Sequence, residues 1–111
     1  MAYDEVLAQR IHDLLDGEPG LTSKRMFGGL GFMLRGHMAV AAASSGSLMV
    51  RVDPADAPAW LSDHVQPMEM RGRAMNGWLL VDREALADDE QLRVWVDRGA
   101  DHVRTLPPQQ P

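Results

Sequence analysis

Residues 25–38 read RMFGGLGFMLRGHM, and the reading of this stretch decides the fold. Gly28, Gly29 and Gly31 are threaded through Met26, Phe27, Leu30, Phe32, Met33 and Leu34, and Gly36 follows before His37 and Met38. Glycine inside an apolar run marks a bulge, a sharp bend or a close backbone approach. The stretch reads as two short strands with a kink between them, a bent β-corner, and a hairpin at the end. Residues 22–28, 29–34 and 37–43 are the expected strands, with Arg35-Gly36 as the two-residue turn between the last two. That turn sets Met33 against Met38, Phe32 against Ala39 and Leu30 against Ala41. Ser44-Ser45-Gly46 is the next turn. Residues 48–52 form a fourth strand with Leu48, Val50 and Val52 on one face.

Upstream, Tyr3, Leu7, Ile11, Leu14 and Leu15 recur at three- and four-residue spacing, which predicts a helix over residues 2–16. Gly17 suits its C-terminal cap, and Pro19 prevents continuation. Downstream, Asp53-Pro54 reads as a helix start, with Ala57, Trp60 and Leu61 turned inward and an end near Asp63. Residues 65–70 form a strand at a sheet edge, because Pro67 cannot donate to a ladder. Arg71-Gly72-Arg73 and Asn76-Gly77 carry turn chemistry, and residues 78–81 make the sixth strand. Residues 82–87 hold a short helical turn. Asp88, with Gln91 three residues on, opens a final helix that runs to about Thr105 on a stripe of Leu92, Trp95, Val96, Gly99 and Val103. Gly99 weakens that helix by roughly 1 kcal/mol relative to alanine unless it allows close packing.

The order α, four strands, α, two strands, α predicts an α+β fold, an antiparallel sheet of about six strands with flanking helices. No repeat or linker divides the chain, so residues 1–106 read as one domain. Residues 107–111 read as a disordered Pro/Gln tail.

The chain has 111 residues, no cysteine and a formal net charge of −5. Without cysteine there is no disulfide framework, no thiolate nucleophile and no cysteine-ligated metal. The first residues, MAYDEVLAQR, lack the basic start and apolar centre of a signal peptide. No apolar run is long enough for a membrane span. A cytoplasmic protein is the expectation. The charge is uneven: residues 1–20 carry net −4, residues 21–52 carry Lys24, Arg25, Arg35 and Arg51 with no acid, and residues 53–111 carry net −5. A basic sheet is thus set against acidic helices.

Motifs for chemistry fail one by one. A dinucleotide fingerprint needs glycine where Leu34 stands, and a strand rather than a helix N-terminus follows. There is no Gly-Lys-Ser/Thr for a P-loop. His12, His37, His64 and His102 show no metal spacing. Acidic pairs such as Asp4-Glu5 and Asp88-Asp89-Glu90 sit at helix starts, where capping explains them. Ser44, Ser45 and Ser47 lack a nucleophile elbow. No cofactor, metal or catalytic residue is expected. Eight methionines are many for this length. They suit adaptable core filling, or a pliable protein-binding surface. Soft-metal binding by their thioethers has no cysteine or histidine cluster to reinforce it. For nucleic acid, the aromatic interleaving is thin, since Phe27 and Phe32 suit the core, and the acid-rich helices argue against a major-groove reader.

The Arg25–Gly36 signature, with the passage from strand to helix over residues 48–53, resembles the TfoX/Sxy N-terminal domain family. The resemblance covers most of the chain. It implies an α+β fold with helices flanking an antiparallel sheet, and no catalytic residues. Longer members carry a C-terminal helical domain and regulate bacterial competence genes together with the cyclic-AMP receptor protein. The chain looks like a short, stand-alone member lacking that domain. The expectation is a non-enzymatic regulatory or adaptor domain acting by protein–protein contact, with transcription machinery a conceivable partner. Lys24, Arg25, Arg35 and Arg51 form the expected contact face, and Met26, Phe27, Gly28, Gly29, Gly31 and Gly36 the structural motif. A homodimer through a sheet edge or a methionine-rich face is the further partner expectation. Direct nucleic-acid binding by a basic sheet face and a small-molecule-binding module are the alternatives.

Overall fold

The structure is a computed structural model that describes residues 3–107, apart from Phe27, Ser45 and Arg71. Phe27 of the expected structural motif, the expected turn residues Ser45 and Arg71, and residues 108–111 of the expected tail lie outside the described residues. The first helix, α1, spans Glu5–Leu15, with the Asp4 carboxylate accepting from the Val6 and Leu7 amides at 2.9 and 3.1 Å. Six strands follow. They are β1 (Leu21–Met26), β2 (Gly29–Leu34), β3 (His37–Ala42), β4 (Leu48–Arg51), β5 (Val65–Met70) and β6 (Arg73–Val81). The last helix, α2, spans Asp89–Arg104, and Asp88 caps it by accepting from Glu90 at 2.8 Å. All neighbouring strands are antiparallel, in the order β1-β2-β3-β4-β6-β5. The α+β class with a six-stranded antiparallel sheet is therefore the fold of this chain.

The glycine run differs from the expected corner. β1 and β2 pair along their whole length, from Leu21 opposite Leu34 to Met26 opposite Gly29. Gly28, at φ +76°, lies between them, so the run is a hairpin reversal and not a kink. The next reversal is the expected one. Arg35 and Gly36 both have positive φ, +54° and +87°, which is the two-residue turn whose twist suits a right-handed hairpin. Met33 stands opposite Met38 as expected, but Phe32 stands opposite Val40 and Leu30 opposite Ala42. The register shifts at Phe32/Met33, which leaves Ala39 as the extra residue of a bulge. Ala39 and Val40 are both fully buried. The bulge lets two consecutive residues of β3 go inward where strict alternation would expose one.

Three other expectations are corrected. Residues 57–60 form only a short 3-10 turn, not a helix from Asp53 to Asp63. Asp53 does cap locally, accepting from Ala55 at 2.9 Å. Pro58, however, has no amide for an α-helical bond, and its ring clashes with the preceding turn. Leu61 ends 43% exposed instead of inward, and Leu14 of the α1 stripe is 39% exposed. Asn76-Gly77 lies inside β6 and not in a turn, because Ala74 and Arg73 pair with Glu69 and Met70 of β5. Gly77, at φ +81°, absorbs the irregularity, and its carbonyl accepts from Val52 at 2.8 Å. Pro67 sits on β5, an edge strand as expected.

One sheet face carries the core. Phe32, Val40, Val50 and Leu79 share a cross-strand row, and Leu48 and Val81 share the next, all at most 2% exposed. α2 packs on this face against β3 and β4, and α1 packs beside it against α2 and β3. At Gly99, α2 lies close against β3. A Cβ added there would lie 2.5 Å from the Ala39 carbonyl oxygen and 2.9 Å from Val40 Cγ1. Glycine in this helix is thus a packing requirement set by the bulge beneath it. Trp60 and Trp95 meet edge to face at 6.2 Å, and the Arg98 guanidinium lies 4.4 and 4.5 Å from their ring centroids. This stack fastens the 3-10 turn to α2.

Candidate functional site

Among the described residues, no helix packs on the other sheet face. Side chains alternate across a strand, so each position between two core residues points to this open face. On β4 Met49 lies between Leu48 and Val50, and on β6 Leu80 lies between Leu79 and Val81. Met33 and Met38 pair across β2 and β3, Ala41 pairs with both Gly31 and Met49, and Trp78 pairs with Arg51. Met33, Met38, Met49, Met68, Met75, Trp78 and Leu80 are all half-buried on this side. A cavity of about 180 Å³ opens among Met38, Met49, Met68, Met75 and Trp78, floored by Gly29 and Ala41. A cavity of roughly 150 Å³ already holds a benzene ring. The groove is therefore sized for one aromatic or branched aliphatic side chain.

Gly29 makes that floor flat. A Cβ there would lie 2.5 Å from the Ala42 carbonyl oxygen, and one at Gly31 would lie 3.2 Å from the Met38 sulfur. Two glycines of the RMFGGLGF run therefore line the shallow side of the open face. Thioether side chains are unbranched and polarisable, so the walls can repack around different shapes.

The four basic residues expected on one contact face do not share one. Lys24 pairs with Gly31 and so points to the open face, whereas Arg25 pairs with Leu30 and points to the helix side at the sheet edge. Arg51 is half-buried on the open face, three strands from Lys24, or about 14 Å at the usual strand spacing. Arg35 is at the tip of the β2–β3 hairpin, close enough to Glu18 to lower its pKa. Arg73, two residues before Met75 on β6, adds a third cation to the open side. Among the described residues, no Asp or Glu stands at an open-face position of the strands. The face is apolar, and the charged side chains at its described strand positions are all basic, in a chain of net charge −5. Met68, Met75 and Trp78 join the site only through the pairing of β6 with both β4 and β5. Only Trp78 carries a signal in the sequence, out of phase with the buried Leu79 and Val81; Met68 lies between exposed Pro67 and Glu69, and Met75 precedes exposed Asn76.

Charged groups elsewhere serve the frame. Arg10 donates to the Leu86 carbonyl and to Asp89, each at 2.8 Å, tying α1 to the start of α2. His37 Nε2 contacts the Pro107 carbonyl oxygen at 2.7 Å, holding the end of the described chain against the hairpin. Arg104 pairs with Glu18 and Asp101. The hydrogen bonds from Arg104, its charge and that of Arg35 hold the Glu18 carboxyl below its ordinary value of 4.5, against a smaller opposing effect of burial. A carboxylate with a depressed folded pKa stabilises the fold above its unfolded value, and the gain is lost as pH falls through the folded value. The pair is partly solvated, so its worth is under about 1 kcal/mol. Glu18→Gln is expected to lower the urea midpoint slightly at neutral pH. Wild type and variant converge as pH falls below the folded value of Glu18, where both side chains are uncharged; a difference that does not shrink as the pH is lowered refutes the assignment.

Among the described residues, no group of three or more His, Asp or Glu side chains is placed to hold a metal ion. No helix among the described residues is long and apolar enough to cross a membrane.

A sheet with helices on one face and a methionine-lined second face defines a small α+β domain. The TfoX N-terminal domain family model matches residues 13–103, and the chain belongs to that family. No protein of curated function and no solved structure matches it. The match spans α1 from Asp13 to nearly the end of α2, so it takes in both the covered and the open face.

Proposed function

We propose that this chain is a regulatory or adaptor domain that acts without catalysis, by holding another protein on its open sheet face. The observation that carries the reading is an apolar face of half-buried methionines and Trp78, on which no described helix packs, bordered by Lys24, Arg51 and Arg73. Contiguous apolar surface rimmed by polar residues marks interaction sites. Family membership supports a regulatory role at the level of the family, of which competence regulation is one form. The basic rim favours a partner that brings apolar and acidic side chains together.

The test uses the chain immobilised beside its Met49→Glu variant, in lysate of the source cell. Met49 is half-buried on the open face, and the variant's thermal midpoint is measured beside the wild type's to show that it is folded. The expected result is a stoichiometric protein retained by the wild type and lost from the variant. The reading fails if the same proteins stay on both. It also fails if nucleic acid is what the wild type retains, with an affinity that falls steeply with salt.

A further inference from the structure

We infer that the occupant of the open face is an acidic amphipathic α-helix, which seats one bulky apolar side chain between Met49 and Trp78. This rests on the reading of the face as a docking surface and names its ligand. Three observations converge on it.

The first is the backbone. The groove lies over β3, β4 and β6, each of which has a paired strand on both sides. Their amides and carbonyls are engaged in the ladder, so the face offers side chains only. A segment pressed onto it must satisfy its own backbone polar groups, and an α-helix does so within one segment. An added strand would need a sheet edge. One edge is β5, which carries Pro67 and a register irregularity, and the other is β1, which carries Lys24 and Arg25. Both features disfavour edge pairing.

The second is size. A cavity of about 180 Å³, walled by methionines and Trp78, accepts a single leucine or aromatic side chain. A helix presents such an anchor with flanking apolar residues three and four positions away. Flexible thioethers adjust to the anchor supplied.

The third is charge. Lys24, Arg51 and Arg73 lie on the same sheet face as the groove, outside its lining, with no acid among the described open-face strand positions to neutralise them. Carboxylates flanking the apolar stripe of a helix meet these cations. A second copy of the chain fits poorly, because a two-fold contact through this face would bring two basic rims together.

The probe is a helix-forming peptide with a central Leu or Trp anchor, apolar neighbours at helical spacing and glutamates on both flanks. Its twin carries lysines in place of the glutamates. Fluorescence polarisation of the labelled peptides is read against the wild type, Met49→Glu and Lys24→Glu/Arg51→Glu. The expected result is that the glutamate peptide binds the wild type roughly tenfold or more tighter than the lysine peptide. Its affinity falls with salt, with anchor-to-alanine replacement and in both variants. Equal binding of the two peptides overturns the charge argument. Unchanged binding to Met49→Glu overturns the placement. No binding of either peptide overturns the helix assignment. In that case a host protein still captured through Met49 leaves the docking surface standing, and loss of both results removes it. Tighter binding of a single-stranded oligonucleotide than of the glutamate peptide, or a dimer that Met49→Glu dissociates, also overturns the proposal.

Discussion

Gly99→Ala is expected to destabilise the domain by about 2–3 kcal/mol, although the same change in an isolated helix would stabilise it by about 1 kcal/mol. The reversal comes from tertiary packing. Alanine at this position puts a methyl carbon 2.5 Å from the Ala39 carbonyl oxygen and 2.9 Å from Val40. The first of these is backbone at a β-bulge and cannot rotate away. α2 must then lift off β3, which opens space around Val40 and Val96, both fully buried. For a chain of this length the loss corresponds to a fall of roughly 10 °C in thermal midpoint. A midpoint equal to or above wild type would show that α2 does not rest on the bulge. A larger side chain, as in Gly99→Val, deepens the effect, because overpacking costs rise with the volume forced in.

Phe32→Ala is expected to cost about 3–5 kcal/mol, a large part of the 5–15 kcal/mol that holds a typical domain together. Phe32 is 2% exposed and is the largest fully buried side chain. It sits next to the register shift, opposite Val40 and beside Ser23 of β1. It belongs to the core cluster, so truncation leaves a cavity inside the core. Chemical denaturation reads the loss directly. Phe32→Leu, which retains most of the volume, is expected to recover much of it. A cost below about 1 kcal/mol for Phe32→Ala would mean that the ring is not packed into the core. Neither substitution touches the open face. A destabilised but still folded Phe32→Leu protein is therefore expected to bind the glutamate peptide as the wild type does.

Much of the fold is legible in the residues themselves. The caps are written at Asp4 and Asp88, and the hairpin turn at Arg35-Gly36. The alternation of Leu48, Val50 and Val52 with Met49 and Arg51 already contains the two faces of β4. The failures have local causes. Pro54 suits a helix start, but Pro58 four residues on removes the bond that would extend it. Asn76-Gly77 is a strong turn dipeptide, yet β5 and β4 bracket β6 and pull those residues into a strand. The register of β2 against β3 follows the turn as far as Met33 and then slips at Ala39, because the core rewards burying two neighbours.

The candidate site was the least legible part. The methionine excess was visible, but Met38, Met49, Met68 and Met75 are spread over four strands, and only the strand order gathers them around Trp78. The basic residues show the opposite outcome. Lys24 and Arg25 are neighbours in sequence and lie on opposite faces, because a strand alternates its side chains.

By itself, then, the sequence determined the class of fold, the caps, the Arg35-Gly36 turn and the family, all of which depend on residues a few positions apart. Tertiary structure decided why Gly99 is a glycine, which arginines share a surface, and that no described helix packs on one face of the sheet. Those depend on pairings between strands distant along the chain, where the balance of burial across the whole sheet sets the register and no local pattern can.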